Sequence, residues 1–281
     1  MKKSSGLFAV AWRVPLIVWQ ITFFVVPLGF LIYLSFWVVE NYRMTPALDP
    51  VNWDKMLSRD YFWSAYFYTF KLALVATVLT SLIAFPAACA LAFKLSPATR
   101  RFVLFLLVIP FFTSYLVRIY AWQSMLAESG IINVGFSFLG IGPFSLLNSA
   151  VGTMVGYLAL TLPLVTILQT LSLANIDKRL VEAAYNLGCG KLRVIVSVII
   201  PLARVGIIVG ALFCFILSFG DFVSPYYLGG SKPPTLSILI VDTTKAGQQW
   251  PRAAVVAIIM IGTLFLIALA SVAFAYRRPK T

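Results

Sequence analysis

The sequence predicts an all-α membrane protein of about six transmembrane helices, and three observations predict it. Of 281 residues, 61% are hydrophobic and only 11% charged, with a mean hydropathy of +0.95, whereas a soluble domain carries about 25% charged residues. Apolar runs reach the roughly 20 residues that a helix needs to cross a bilayer core near 15–38, 66–93, 102–125, 148–173, 201–225 and 252–276. The basic residues crowd onto one side of that layout. Lys2, Lys3, Arg13, Lys94, Arg100, Arg101, Lys178, Arg179, Lys191, Arg193, Arg204, Arg277, Arg278 and Lys280 share the side of both termini, against Asp177 and Glu182 alone among the acids. The positive-inside bias then puts both termini in the cytoplasm. A net charge of +13 would suggest nucleic acid in a soluble chain; here its placement speaks for orientation, and no nucleic-acid partner is expected.

The first span is expected to remain as a helix and not to be cleaved. Its apolar stretch is too long for the 7 to 15 residues of a signal-peptide core, and no A-x-A site ends it. The connection 40–63 is polar and aromatic, with Pro46 and Pro50 breaking any long helix before a short one begins around Trp53. Pro86, Pro110 and Pro163 lie inside the second, third and fourth spans, where each removes a hydrogen bond and kinks the axis. Arg118 sits toward the end of the third span, as an interfacial anchor or half of a structural pair. The connection 126–147 is Gly-rich. Gly152-x-x-x-Gly156 and Gly206-x-x-x-Gly210 each place two glycines on one helix face, which lets another backbone approach. Asp221, toward the outer half of the fifth span between Gly220 and Pro225, is either a structural partner or a carboxylate on a solute path. The segment LSILIVDTTK in connection 226–251 is too short to span and is expected on the outer interface.

No residue set for catalysis is visible. The chain has no His, its Cys89, Cys189 and Cys214 form no outer pair, and it lacks a phosphate loop, a G-x-G-x-x-G and a nucleophile elbow. No catalytic residue, metal ligand or cofactor of its own is therefore expected, and one transmembrane domain is expected to cover 1–281.

Residues 181–201, VEAAYNLGCGKLRVIVSVIIP, interrupt the oil on the cytoplasmic side. Asp177 is a candidate N-cap for a helix that sets Leu180, Ala184 and Leu187 on one face, and Gly188 and Gly190 end it. The chain then turns into a 193–201 stretch leading to the next span. A helix kept slim by Ala183, Ala184 and Gly188 fits a groove on a soluble partner, with Glu182 at the rim; an interfacial amphipathic helix is the plainer alternative.

Glu182-Ala183-Ala184, three residues, Gly188, nine residues, then Val198, Ile200 and Pro201 resemble the EAA loop (E-A-A, three, G, nine, I-x-L-P) of ABC importer permease subunits, with Val for Ile and Ile for Leu. LVRIYAW (116–122), SGIIN (129–133), LVEAAYNLG (180–188) and GDFVSPYYLGG (220–230) extend the resemblance over almost the whole chain, toward the spermidine/putrescine permease group and its first permease subunit. The resemblance implies the type I ABC importer permease fold in a bacterial inner membrane, with an EAA loop at about 174–200. It also implies a second related permease as heterodimer partner, a pair of ATPase subunits that use ATP and Mg2+, and a periplasmic substrate-binding protein. On that model Glu182, Ala183, Ala184, Gly188 and Pro201 couple the bundle to the ATPases. For a polycation, Asp221 and the rings of Trp63, Tyr157, Tyr226 and Tyr227 would line the path through cation–π contacts. Where polyamine permeases commonly read G-E-F-V-I-P, residues 220–225 read G-D-F-V-S-P, a carboxylate one carbon shorter. Permeases for opines, amino-acid derivatives or aminophosphonates share the scaffold. A secondary transporter or channel would need no ATPase and would more often show an ionisable relay; a membrane enzyme would need a catalytic pair.

Overall fold

The computed structural model describes residues 4–277, so Lys2, Lys3, Arg278 and Lys280 of the basic side lie outside the described residues. Two compact units emerge, one holding the chain up to Trp63 with Leu239–Gly262, the other Ser64–Ile238 with the chain from Thr263 onward.

In the first unit α1 (residues 4–34) runs through a π turn at Ile21–Val25 just ahead of Pro27. Proline has no N–H to donate, so the helical hydrogen-bond register has to adjust beside it, and a π turn is one such adjustment. A hairpin follows, β1 (Val38–Glu40) antiparallel to β2 (Arg43–Thr45) with Val38 opposite Thr45. Asn41 and Tyr42 in its two-residue loop both have positive φ, 49° and 62°, which matches the twist of a type I′ turn. The short helix expected around Trp53 is α2 (Val51–Leu57). Asn52 is buried, and its Nδ2 donates to the carbonyls of Ser35 at 3.0 Å and Trp37 at 2.7 Å, tying α2 to the end of α1.

The second unit is built on α3 (Asp60–Lys94), α7 (Ala150–Ala174) and α9 (Lys191–Gly220). Between them run α4 (Pro97–Phe112), α5 (Tyr115–Leu126), α6 (Ile131–Ser137) and α8 (Lys178–Asn186). In chain order α9 is followed by α10 (Val223–Tyr227), α11 (Leu236–Lys245) and α12 (Trp250–Tyr276), residues 239–262 of the last two belonging to the first unit. The glycine pairs do what their spacing predicts. A Cβ on Gly206 would collide with Ser172 of α7, and one on Gly210 would touch Val165 at 3.5 Å, so α7 and α9 pack face to face. A Cβ on Gly152 would lie 2.5 Å from the carbonyl oxygen of Leu228, so the other pair receives α10 and the turn after it.

Four expectations need correction. Among the described residues five helices are continuous candidate spans, and the sixth is the pair Pro97–Phe112 and Tyr115–Ser137, bent by 93°. Pro110 therefore does not kink a through-going helix but sits in the 3-10 turn Ile109–Phe112 that ends α4, and Thr113 is extended. The stretch 193–201 is not a connector: it is helical within α9, with a π turn at Ile195–Ile199 ahead of Pro201. The fifth span stops at Gly220, because the side chain of Asp221 leaves the helix to cap the next one.

Candidate functional site

α8 is held by both ends. The side chain of Asp177 accepts from the N–H of Arg179 at 3.0 Å, an N-cap. At the other end Cys189 N–H donates to the Ala184 carbonyl at 3.1 Å and Gly188 N–H to the Tyr185 carbonyl at 2.9 Å. Those two bonds define a Schellman motif, which requires the left-handed backbone that Gly188 adopts at φ +79°. Cys189 also packs against the apolar cluster that contains Ala184.

The face of α8 differs from the expected one. Ala184 is buried with Val181 against Ala88, Ala92, Leu173, Val194 and Ile199, which come from α3, α7 and α9. Leu187 does not share that face: it is 84% exposed, and Leu180 is 49% exposed. Glu182, Ala183 and Gly188 are exposed. At roughly 100° per residue, a helix anchored through Ala184 turns Ala183 away from the packed side, and Leu187, one residue past the helix end, is left exposed where the Schellman turn begins. α8 is thus a rigid knob that presents a small residue, a free apolar side chain and a carboxylate, and its base interlocks with the ends of three long helices. Pro201 lies further along α9 and is exposed, beyond the π turn.

The second group of candidates centres on Asp221, which is 8% exposed. Its Oδ1 accepts from Val223 N–H at 2.8 Å; its Oδ2 accepts from the Tyr115 hydroxyl at 2.6 Å and from Ser224 N–H at 3.3 Å. Ser224 Oγ lies 2.6 Å from the same Tyr115 hydroxyl, in space that Gly156 leaves open. The carboxylate thus starts α10 and ties it to α5. On α10 and beside it, Phe222 stacks on Tyr226 at 5.0 Å, Tyr226 meets Tyr227 at 5.0 Å, and Tyr227 meets Tyr120 at 5.2 Å. Tyr226 and Tyr120 are 42% and 50% exposed. A hydrogen bond with Tyr120 holds the Tyr227 phenol above its usual value. Such a chain of ring faces suits a cation; Tyr120 and Phe222 are members that composition alone did not single out.

The other candidates fall elsewhere. Tyr157 is fully buried against Leu72 and Ala76, so in this conformation it is a core residue and not a path lining. Trp63 belongs to the first unit, where its Nε1 donates to the Leu57 carbonyl at 2.8 Å. Arg118 serves backbone carbonyls. Its Nη2 donates to the Pro110 carbonyl at 2.9 Å and its Nη1 to the Ala159 carbonyl at 3.3 Å. Ala159 stands four residues before Pro163, whose missing N–H orphans that carbonyl. One guanidinium thereby reaches two carbonyls at proline-broken turns.

A family model described as "Binding-protein-dependent transport system inner membrane component" matches residues 81–280. Over 262 residues, 90% of this chain and 94% of the relative, the sequence is 30% identical to the spermidine/putrescine transport system permease protein PotB of Escherichia coli (strain K12). It is 27% identical over 257 residues, 82% of this chain and 78% of the relative, to the inner membrane ABC transporter permease protein YdcU of the same organism. Among solved structures, a chain of the bacterial alginate ABC transporter in complex with alginate pentasaccharide-bound periplasmic protein superposes with a TM-score of 0.75 at 16% identity, covering 95% of this chain and 93% of that one. That likeness carries the fold alone.

Proposed function

Because this chain belongs to the binding-protein-dependent transport system inner membrane component family, and is thus a non-catalytic ABC permease subunit, we propose that it moves spermidine or putrescine across the inner membrane. In this reading both termini are cytoplasmic, a second related permease completes the path, and two ATPase subunits that use ATP and Mg2+ receive α8 and its counterpart. A periplasmic binding protein delivers the solute. The polyamine assignment draws on the 30% identity to a spermidine/putrescine permease and on the exposed ring chain over Tyr226 and Tyr227.

The observation that carries the coupling role is the construction of α8. Glu182 and Ala183 face outward for an ATPase groove, Ala184 locks the helix into the bundle, and Gly188 fixes its end. A push on the knob is carried to the ends of α3, α7 and α9 without a flexible link, as rigid-body rocking requires. Asp221 positions the rings and adds a negative field behind them. Tyr157 meets the solute only when its packing against Leu72 and Ala76 of α3 opens. Pro201, beside its π turn, is where α9 can bend.

Solute-stimulated ATP hydrolysis in proteoliposomes of the whole transporter tests this reading. Glu182→Lys or Gly188→Trp should abolish the stimulation while the subunits still assemble; full stimulation in both rejects the coupling role. Calorimetry of the partner binding protein tests the cargo, and a binding protein that takes up neither spermidine nor putrescine overturns that assignment.

A further inference from the structure

Beside α8 lies a cavity of about 530 Å³ whose lining, apart from Glu182, the coupling role does not use. Its walls are two π turns, Ala90–Lys94 at the end of α3 and Ile195–Ile199 early in α9. A π turn holds one extra residue per turn and spreads the side chains around it, and such turns are concentrated at functional sites. The floor is apolar, formed by Phe93, Ile195 and Ile199, with the exposed Pro86 at its edge. The mouth carries Lys94, Lys178 and Lys191 from three different elements, against the single carboxylate of Glu182. Lys178 and Glu182 lie on one flank of α8, whereas Ala183 and Leu187 lie on the other, at roughly 100° per residue. The cavity and the Ala183–Leu187 side of the helix therefore face different ways, with Glu182 at the border between them.

We infer that this groove binds one anionic phospholipid, an acyl chain against Phe93, Ile195 and Ile199 and the phosphate among the three lysines. The charge at the mouth selects the headgroup: each ammonium near an anionic lipid contributes on the order of 1 kcal/mol, and basic pockets between transmembrane helices on the cytoplasmic side are a recurring way to hold such lipids. The apolar floor separates a lipid from a free phosphate, which has nothing to place there. A lipid seated on that flank braces α8 against α3 and α9, so bilayer composition would set how stiffly the knob transmits force. Only the choice of leaflet rests on the cytoplasmic orientation proposed above.

Native mass spectrometry of the purified transporter titrated with dioleoyl-phosphatidylglycerol or dioleoyl-phosphatidylcholine tests the site. One phosphatidylglycerol per copy of this chain should bind saturably, preferred over phosphatidylcholine at least roughly tenfold. The triple variant Lys94→Gln, Lys178→Gln, Lys191→Gln should lose that preference while still bringing down its ATPase. Equal binding of the two lipids, or an unchanged preference in the triple variant, overturns the inference. Loss of the ATPase from the unmodified transporter would instead strike the coupling reading. Cys89 also lines the cavity, and with Cys189→Ser and Cys214→Ser it can carry a benzophenone alone. A photoproduct with phosphatidylglycerol supports the site; one with a peptide of the ATPase or the second permease overturns it.

Discussion

Asp221→Asn separates a carboxylate that builds the site from one that meets the solute. In the structure both oxygens are spent on the protein, at 2.8 Å to Val223 N–H, 2.6 Å to the Tyr115 hydroxyl and 3.3 Å to Ser224 N–H. Hydrogen bonds to a charged group contribute about 1.5–3 kcal/mol and neutral ones about 0.5–1.5 kcal/mol. The Asn oxygen keeps the Val223 bond in its weaker form, but the amide nitrogen cannot accept from Ser224, and Tyr115 must turn its proton toward Ser224 Oγ. The gross loss is on the order of 3–4 kcal/mol, and the lower cost of burying an amide than a carboxylate returns part of it, leaving about 2 kcal/mol. For a chain of this size that lowers the unfolding midpoint by roughly 4–8 °C. Thermal unfolding of the purified permease complex reads it, with Tyr115→Phe and the double variant closing a cycle. Because the two side chains share a bond, the cycle should show an interaction of about 1–2 kcal/mol. If Asp221→Asn leaves the midpoint unmoved, the cycle is additive and polyamine uptake is nevertheless lost, the carboxylate serves the solute and the capping account is wrong.

Arg118→Met should destabilise the complex by roughly 1–3 kcal/mol, since it abandons the Ala159 carbonyl and leaves Pro110 with Thr113 as its remaining donor; Arg118→Lys should rescue only part, because one ammonium cannot fork to both. The unfolding midpoint checks this, and full rescue by Lys would refute the two-carbonyl reading. Gly206→Ala forces a methyl into Ser172 and should cost about 1–3 kcal/mol by overpacking the α7–α9 contact; Gly262→Ala, with nothing within 4 Å, should be nearly neutral by the same measure. Tyr226→Ala should weaken spermidine uptake several-fold while Tyr226→Phe retains most of it, because the ring face and not the hydroxyl meets the ammonium; equal losses in the two uptake assays would reject the ring chain.

Legibility in the sequence followed the range of the physics. Features fixed within one or two helical turns read directly: Asp177 and Gly188 bound α8 because caps are local, and the spans are visible because hydropathy accumulates over about 20 residues. The glycine pairs announced close packing, though not that α10 would occupy one of them. What could not be read was settled by residues far apart along the chain. Arg118 looked like an anchor because its partner carbonyl at Ala159 is 41 residues away and is vacated by a proline in another helix. Asp221 kept two readings open because Tyr115, which takes its second oxygen, is 106 residues away. The 93° break in the third span was hidden because Thr113 and Ser114 barely lower the hydropathy of the window around Pro110. Leu187 was placed on the packed face by periodicity alone, whereas the Schellman turn that follows it leaves that side chain in the open.

The most direct measurement places a benzophenone at position 183, through Ala183→Cys in a variant without the three native cysteines, and illuminates the whole transporter in inverted vesicles. The photoproduct should join this chain to the ATPase subunit, and its yield should change when ATP is bound. A product with lipid or the periplasmic binding protein alone, or labelling of the introduced thiol by an impermeant reagent from the periplasmic side of intact cells, would contradict the coupling role of α8.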